Sequence, residues 1–166
     1  RQGELIKTGR KNLNTQARIH ECVLALLEVK SFEQLIQTIT TDFAILLDID
    51  IIALCIESNG AGEASIRTRG LQILQPGTTD ALVGANRQVV LRSDIEGNPE
   101  IFGGGATLVR SEALARINVS NSAPPGILAF GSRHFDKFHP GQASDLLSFL
   151  ARVSQNIIRL WLELPD

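Results

Sequence analysis

One polar segment near the C-terminus holds the residues best suited to bind a metal ion. His134, Asp136 and His139 supply two imidazoles and a carboxylate within six residues, and donors of this kind ligate zinc. The segment has the composition of a turn between a strand and a helix, where side chains are normally solvated, and Arg133 and Lys137 would repel a cation. We therefore expect neither a metal nor another cofactor here.

The two cysteines are the candidates for nucleophilic catalysis, which needs a base within hydrogen-bond reach of the nucleophile. Cys22 is two residues from His20 in a helical pattern, so the two side chains point to different faces, and Cys55 lies in the most hydrophobic strand. Both are predicted to be inert core thiols. No disulfide framework or CxxC signature is present, which favours a reducing, cytoplasmic compartment.

Phosphate or anion binding is the remaining chemistry that the residue types suggest. The glycine-rich run Gly103–Thr107 matches neither GxxxxGK[ST] nor GxGxxG, so we interpret it as part of a flexible loop. The arginines of the middle of the chain are scattered among acids, which favours a solvated surface, although any one of them could face a pocket: Arg67, Arg69, Arg87, Arg92 and Arg110. With no catalytic triad, dyad or metal cluster evident, the sequence predicts a protein that is not an enzyme.

The length and net charge of the chain limit the class of protein and the partners that it can bind. The chain has 166 residues, a formal net charge of −2 and 43% hydrophobic residues, as expected of a single globular domain. The near-neutral balance supplies no large basic field, so we expect neither nucleic acid nor a membrane as partner. The longest apolar run, Ile51–Ile56, is much shorter than the ~20 residues of a membrane-spanning helix. Because position 1 is Arg, we expect further residues ahead of it.

The N-terminal segment, residues 1–30, is predicted to be a helix. Ile19, Cys22 and Leu26 recur at three- and four-residue steps and form one apolar stripe. A weak heptad also runs through Leu5, Asn12, Ile19 and Leu26. Its polar member indicates either a coiled-coil seam or a solvated beginning of the helix.

A second helix is predicted to begin after Ser31, which forms a capping box with Gln34. It ends near Asp48. The apolar residues of this segment recur with helical spacing and are predicted to face inward: Leu35, Ile36, Ile39, Phe43 and Leu47.

The next element, residues 50–58, is continuously apolar and predicts a central strand covered on both faces. The turn residues Asn59–Gly62 predict a hairpin, with Ala64–Arg69 as the neighbouring strand. Thr78 or Thr79, with Asp80, could cap a short helix through Val83.

The second half of the chain adds three strands and a long loop. Residues 88–91 predict a short strand, and the glycine-rich stretch Arg92–Thr107 predicts a long loop with few apolar anchors. Loops of that length inside compact domains tend to be functional or mobile. Two further strands, Ser111–Val119 and Gly126–Ser132, are predicted to pair.

The last helix, Ala143–Leu164, has the most regular pattern in the chain and ends at Pro165. Its main apolar residues alternate four- and three-residue steps, which gives a period of 3.5: Leu146, Leu150, Val153, Ile157, Leu160 and Leu164. One face can cover a sheet while the rest meets another helix. The element order therefore predicts an α+β domain with its helices collected on one face of an antiparallel sheet.

The C-terminal third resembles a bacterial family called domain of unknown function 484. The resemblance is specific in Gly126–Arg133, Phe138–Gln142 and Asp145–Val153, and extends more loosely to Phe102–Gly103 and Arg110–Ala113. It implies a GAF-like domain over residues 31–166, with a central antiparallel sheet of about six strands and the N- and C-terminal helices packed on one face.

GAF-type relatives are sensory or signalling domains that bind small molecules or only dimerise. The resemblance thus implies a non-enzymatic regulatory domain that forms a homodimer through its terminal helices and binds an unidentified small molecule. The ligand-binding candidates are Arg92, Phe102, Arg110 and Ser111, since a charged or hydroxyl group beside an aromatic ring can orient a small ligand. The alternative is an interaction or dimerisation scaffold without a ligand, in which Phe102 fastens the loop to the sheet and the arginines face water.

Overall fold

The computed structural model describes residues 2–58 and 70–163, with side chains from Asn14 onward. Helices and strands together form an α+β domain. The helices are α1 (Gln2–Leu27), α2 (Phe32–Gln37), α3 (Phe43–Leu47), α4 (Thr78–Val83), α5 (Pro99–Phe102) and α6 (Asp145–Glu163). The strands are β1 (Ile51–Glu57), β2 (Leu71–Leu74), β3 (Val89–Arg92), β4 (Ser111–Ile117) and β5 (Gly126–Ser132).

The sheet has five strands among the described residues, in the order β2-β1-β5-β4-β3. The pairs β1–β5, β5–β4 and β4–β3 are antiparallel, whereas β2 runs parallel to β1 with Leu71 opposite Leu54. The prediction of about six antiparallel strands is therefore wrong, and the sheet is mixed. A parallel neighbour requires a crossover connection instead of a tight turn. The predicted hairpin turn Asn59–Gly62 and strand Ala64–Arg69 lie outside the described residues.

The terminal helices lie on one face of the sheet, as predicted. Helix α1 contacts α6 and α3, and α6 crosses β4. The layer is held by buried apolar side chains from both the helices and the sheet: Ile19, Cys22, Leu26, Leu35, Ile36, Ile39, Phe43, Leu54, Leu128, Phe130, Leu150 and Ile158. Burial of these side chains is the main source of the attraction between the layers.

The opposite face of the sheet is covered by α4, α5 and the turns around them. A second apolar cluster joins these elements to the alternate residues of the central strands: Cys55, Leu74, Val83, Ile101, Phe102, Val109, Leu114, Ile127 and Ala129. Strand β1 is thus covered on both faces, which confirms the interpretation of its continuous apolar run.

The second predicted helix begins and ends where expected, but with an irregular middle. The Ser31 Oγ accepts a hydrogen bond from the Gln34 N–H at 3.0 Å. The Gln34 Oε1 accepts in return from the N–H of Lys30, at 2.8 Å, so the reciprocal half of the capping box is displaced by one residue. A π-helical turn, Thr38–Asp42, separates α2 from α3. The segment ends at Asp48, whose φ of 56° places it in the left-handed region.

Helix α4 forms as predicted, although neither predicted threonine caps it with a side-chain hydrogen bond. Its N-cap is Gly77. The N–H groups of Gly77 and Thr79 donate to the two carboxylate oxygens of Glu57, at 2.7 and 2.9 Å. Glu57 ends β1 and is only 6% exposed. A carboxylate brought from a distant strand thus satisfies the open donors at this helix end.

Helix α6 divides its apolar residues between two faces. Its buried residues follow one line along the helix: Leu150, Ala151, Ser154 and Ile158. Other members of the predicted 3.5-residue pattern lie beside this line: Val153 and Ile157 are half-buried, and Leu160 is exposed. Two hydrogen bonds with Asn118 fix the helix against the end of β4, one from the Arg159 Nε to the carbonyl oxygen and one from the N–H to the Gln155 Oε1. No membrane-spanning segment is found among the described helices.

Candidate functional site

The segment between β3 and β4 contains two of the four predicted ligand-binding residues, Phe102 and Arg110, and is bordered by the other two, Arg92 and Ser111. The prediction of a long loop over Arg92–Thr107 is wrong at Arg92, which ends β3, and in its second half, which forms α5 and a 3-10 turn (Gly103–Leu108). The Asn98 Oδ1 accepts from the Glu100 N–H at 2.9 Å, and Pro99 occupies the first helical position. An N-cap side chain followed by proline is a sequence signal for a helix start. The segment therefore has a defined backbone.

Phe102 fastens this segment to the sheet. Its side chain is 4% exposed and lies directly over Gly131 of β5. A Cβ added at Gly131 would lie 2.9 Å from the Phe102 Cε1, 2.9 Å from the Val109 Cγ2 and 2.8 Å from the Ile51 Cγ2. The absence of a side chain at Gly131 thus allows the aromatic ring to reach the sheet. The ring fills the space beneath the segment.

Arg92 is held by two partners on neighbouring elements. Its Nη1 lies 2.9 Å from the Glu112 Oε2, across the β3–β4 pair. Its Nη2 donates a hydrogen bond to the carbonyl oxygen of Leu82 in α4. The Glu112 carboxylate is buried, and this burial raises its pKa, while the hydrogen bond and charge of Arg92 oppose the rise. Arg92 therefore ties α4 to the sheet.

Ser111 is fully buried. Its hydroxyl group forms hydrogen bonds with backbone groups of the segment after β5. The Oγ donates to the carbonyl oxygen of His134 at 2.6 Å and accepts from the N–H of Phe138 at 3.3 Å. The same segment is bound from the other side, where the Asp94 N–H donates to the carbonyl oxygen of Phe135 at 2.8 Å. Ser111 therefore positions the turn that precedes α6.

Arg110 is the one predicted ligand residue that lines an open cavity in the described part of the chain. The cavity has a volume of about 450 Å³. Its wall is formed by the ends of the β3–β4 segment: Glu96, Pro99, Ala106, Thr107, Val109 and Arg110. The Arg110 Nε donates to the carbonyl oxygen of Ile95 at 3.3 Å, and its Nη2 lies 3.6 Å from the Asp94 Oδ1. We call this space the Arg110 cavity.

The structure thus disperses the four predicted residues. Phe102 and Ser111 are buried, Arg92 is bound to Glu112, and Arg110 opens to solvent at the edge of the segment. Ligand binding by this set stays a prediction.

Two buried acids that organise this region were not singled out from the sequence. Glu57 ends the apolar strand β1, and Glu112 is the one acid within β4. An isolated acid in such a strand is the signal that could have pointed to them, since buried carboxylates are normally paired.

The other candidate groups of the sequence lie apart from each other. Cys22 and Cys55 are free and buried, as predicted. Burial raises the pKa of each thiol to about 12, with a smaller contribution from Glu21 at Cys22. Among residues 2–58 and 70–163, no group of three or more His, Cys, Asp or Glu side chains is placed to hold a metal ion.

Comparison with known proteins gives one family. Residues 1–163 match the family described as "Protein of unknown function, DUF484". No curated protein matches the chain.

Proposed function

This chain belongs to the DUF484 family, and from that premise we propose that it is a non-enzymatic, GAF-like regulatory domain that works as a dimer. The layer order supports the GAF-like assignment: terminal helices on one face of the central sheet, short helices and turns on the other. This is the arrangement that the resemblance implies. The fully buried thiols support a role without nucleophilic catalysis, because a protonated thiol is a poor nucleophile.

The observation that carries the dimer proposal is the apolar surface on the outer side of the terminal helices. On α1, Leu24 and Leu27 are 52% and 64% exposed, and on α6, Phe149 and Leu160 are 48% and 59% exposed. We call these four residues the outer helical face. Because the two helices pack against each other, these exposed side chains can together form an apolar interaction surface.

The pattern along α6 supports a second copy of this chain as the partner. Its 3.5-residue period is the spacing that keeps one seam facing another helix. The line that enters the core passes through Leu150, Ala151, Ser154 and Ile158, while Val153 and Ile157 are only half-buried at the edge of that core and Leu160 is exposed. A seam of this kind can pair with itself about a two-fold axis, the commonest symmetry of homodimers.

The dimer proposal is tested by sedimentation of the full chain at micromolar concentrations. We expect a dimer for the unmodified protein and a monomer for Leu160→Glu, because a charge in the seam would lose its solvation on association. The matched control is Leu108→Glu. Leu108 is similarly exposed, at 55%, but belongs to the 3-10 turn on the opposite face of the sheet, so this variant should remain a dimer. A protein that is monomeric throughout, or a dimer that survives Leu160→Glu, contradicts the proposal.

A second candidate function is a scaffold that binds another protein and no small molecule. The burial of Phe102 favours it, because the ring occupies the space beneath the segment where a ligand was predicted. The two functions differ in ligand response. A regulatory domain with a ligand gains about 2.7 kcal/mol of stability at a hundred times the dissociation constant, whereas a scaffold shows no thermal shift with any metabolite.

A further inference from the structure

We propose that the Arg110 cavity binds a small zwitterion, a free α-amino acid with an aliphatic side chain. The cavity brings together one guanidinium, one carboxylate and an apolar wall, a combination that matches the three parts of such a molecule. The biological role of such binding rests on the regulatory function proposed above. Binding itself is measured separately from dimerisation below.

The cationic side of the cavity is Arg110. Its side chain is 54% exposed, and the contact of Nη2 with Asp94 is 3.6 Å long. Charge-assisted hydrogen bonds between nitrogen and oxygen are usually about 2.7–2.9 Å long, so Asp94 engages the guanidinium only loosely. The Nη1 makes no hydrogen bond or ion pair within the described part of the chain. A ligand carboxylate can therefore bind the two terminal nitrogens in the bidentate geometry that arginine favours.

The anionic side is Glu96, supported by Thr107. Both line the cavity and are exposed. Within the described residues, neither the Glu96 carboxylate nor the Thr107 hydroxyl has a hydrogen-bond or ion-pair partner. An ammonium group carries three donors and no acceptor, so it can bind both oxygens of this pair.

The apolar part of the lining is the exposed Pro99, backed by Ala106 and Val109, which are 4% and 1% exposed. It suits an aliphatic side chain, since small-molecule sites combine such walls with a few polar groups. The volume of about 450 Å³ lies within the range of such sites, roughly 300–1,000 Å³.

The cavity is also preformed by its backbone. The Ile95 N–H donates to the carbonyl oxygen of Arg110 at 2.9 Å, while the Arg110 Nε donates back to Ile95. Gly97 lies so close to the 3-10 turn that an added Cβ would be 2.2 Å from the Ala106 carbonyl oxygen. The two ends of the segment are therefore fixed against each other, and a ligand loses little free energy in ordering them.

The test is isothermal titration of the full chain with valine, N-acetylvaline and valinamide. Valine carries both charges, N-acetylvaline lacks the ammonium, and valinamide lacks the carboxylate. We expect valine to bind, and each analogue to bind at least roughly tenfold more weakly, because each loses a charge-assisted hydrogen bond. No heat with valine at millimolar concentrations, or equal binding of valine and either analogue, overturns the proposal.

Two variants test which residue binds the carboxylate of valine and which binds its ammonium group. In Arg110→Gln we expect valine and valinamide to bind equally, since the carboxylate has lost its partner. In Glu96→Gln, valine and N-acetylvaline should bind equally. The control is Arg133→Gln, which removes an exposed arginine paired with Asp50 outside the cavity and should leave valine binding unchanged. Unchanged valine binding in Arg110→Gln contradicts the assignment.

The same titration separates this inference from the dimer proposal. The cavity lies on the opposite side of the sheet from the outer helical face, so the Leu160→Glu monomer should bind valine as the unmodified chain does. Binding without a dimer would refute only the dimer, and a dimer without binding would refute only the ligand.

Discussion

Arg92 and Glu112 face each other across the β3–β4 pair, with their Cα atoms in register and the Arg92 Nη1 2.9 Å from the Glu112 Oε2. The side chain of Glu112 is 7% exposed and that of Arg92 is 36% exposed. The carboxylate therefore depends on one partly exposed cation. Because the same guanidinium also binds the carbonyl oxygen of Leu82, the pair couples the packing of α4 to the charge on Glu112.

Replacing Arg92 should destabilise the domain more than replacing a surface arginine. Arg92→Met leaves the buried carboxylate and the Leu82 carbonyl without their donor, and removal of one member of a buried ion pair costs about 3–5 kcal/mol. Since Arg92 is partly exposed, we expect a loss of about 2 kcal/mol in the free energy of unfolding, measured by urea denaturation.

The control for that measurement is Arg133→Met. Its partner is Asp50 at 3.3 Å, and the Arg133 side chain is 61% exposed, so the change should stay within about 0.5 kcal/mol. Equal losses in the two variants would show that the Glu112 pair contributes no more than a surface contact.

The raised pKa of Glu112 predicts a pH dependence with a definite sign. Burial raises this pKa above the usual 4.5, against the opposing effect of Arg92. The folded state then binds more protons than the unfolded state between pH 4.5 and the raised value, so the contribution of Glu112 to stability falls as the pH rises through that window. Glu112→Gln, which cannot ionise, should lose this part of the pH dependence.

Denaturation at several pH values checks this sign. The stability of the unmodified protein relative to Glu112→Gln should decrease as the pH rises above 4.5, and Arg92→Met should show a larger decrease because the opposing charge is gone. A difference that stays constant across the window, or grows in favour of the unmodified protein, would contradict the prediction.

Part of this fold could be predicted because several elements carry local signals. Strand β1 is continuously apolar, and Ser31 with Gln34 marks a helix start that the structure contains. The helical spacing of the last segment likewise marks α6, although its buried line, Leu150, Ala151, Ser154 and Ile158, shares only Leu150 with the predicted stripe. In each case the residues that determine the element lie within it.

The rest depended on contacts between distant residues. The parallel pairing of β2 with β1 cannot be read from either strand, and the start of α4 is stabilised by Glu57, twenty residues earlier. At the candidate site, Arg92 is directed away from solvent by Glu112, on a strand that follows the whole segment. The sequence shows that Arg92 lies next to a loop, but it does not show that Glu112 binds the guanidinium and so limits its access to a ligand.

Gly131 should not accept a side chain without a loss of stability. Gly131→Ala brings a Cβ to 2.8 Å from Ile51 and 2.9 Å from both Phe102 and Val109. Such overpacking typically costs about 1–3 kcal/mol, and relief would require Phe102 to leave the sheet. We expect a loss in that range by urea denaturation, together with faster amide hydrogen exchange in α5.

The matched change is Gly104→Ala, where an added Cβ meets nothing within 4 Å. It should leave stability and the exchange of α5 nearly unchanged. If Gly131→Ala were equally neutral, the close packing of Phe102 on β5 would not hold in solution.

The two cysteines should report on unfolding, because both are fully buried and neither is ionised near neutral pH. Burial raises the pKa of Cys22 and Cys55 to about 12, and the thiolate is the form that reacts. We expect no reaction with a thiol reagent at pH 8 in native buffer over minutes, and two reactive thiols per chain in urea. Asn121→Cys places a third thiol on an exposed turn and should react at once, which controls for the reagent. Rapid labelling of the unmodified native chain would mean that α1 or β1 opens far more often than its packing implies, since Cys22 and Cys55 lie in opposite clusters of the core.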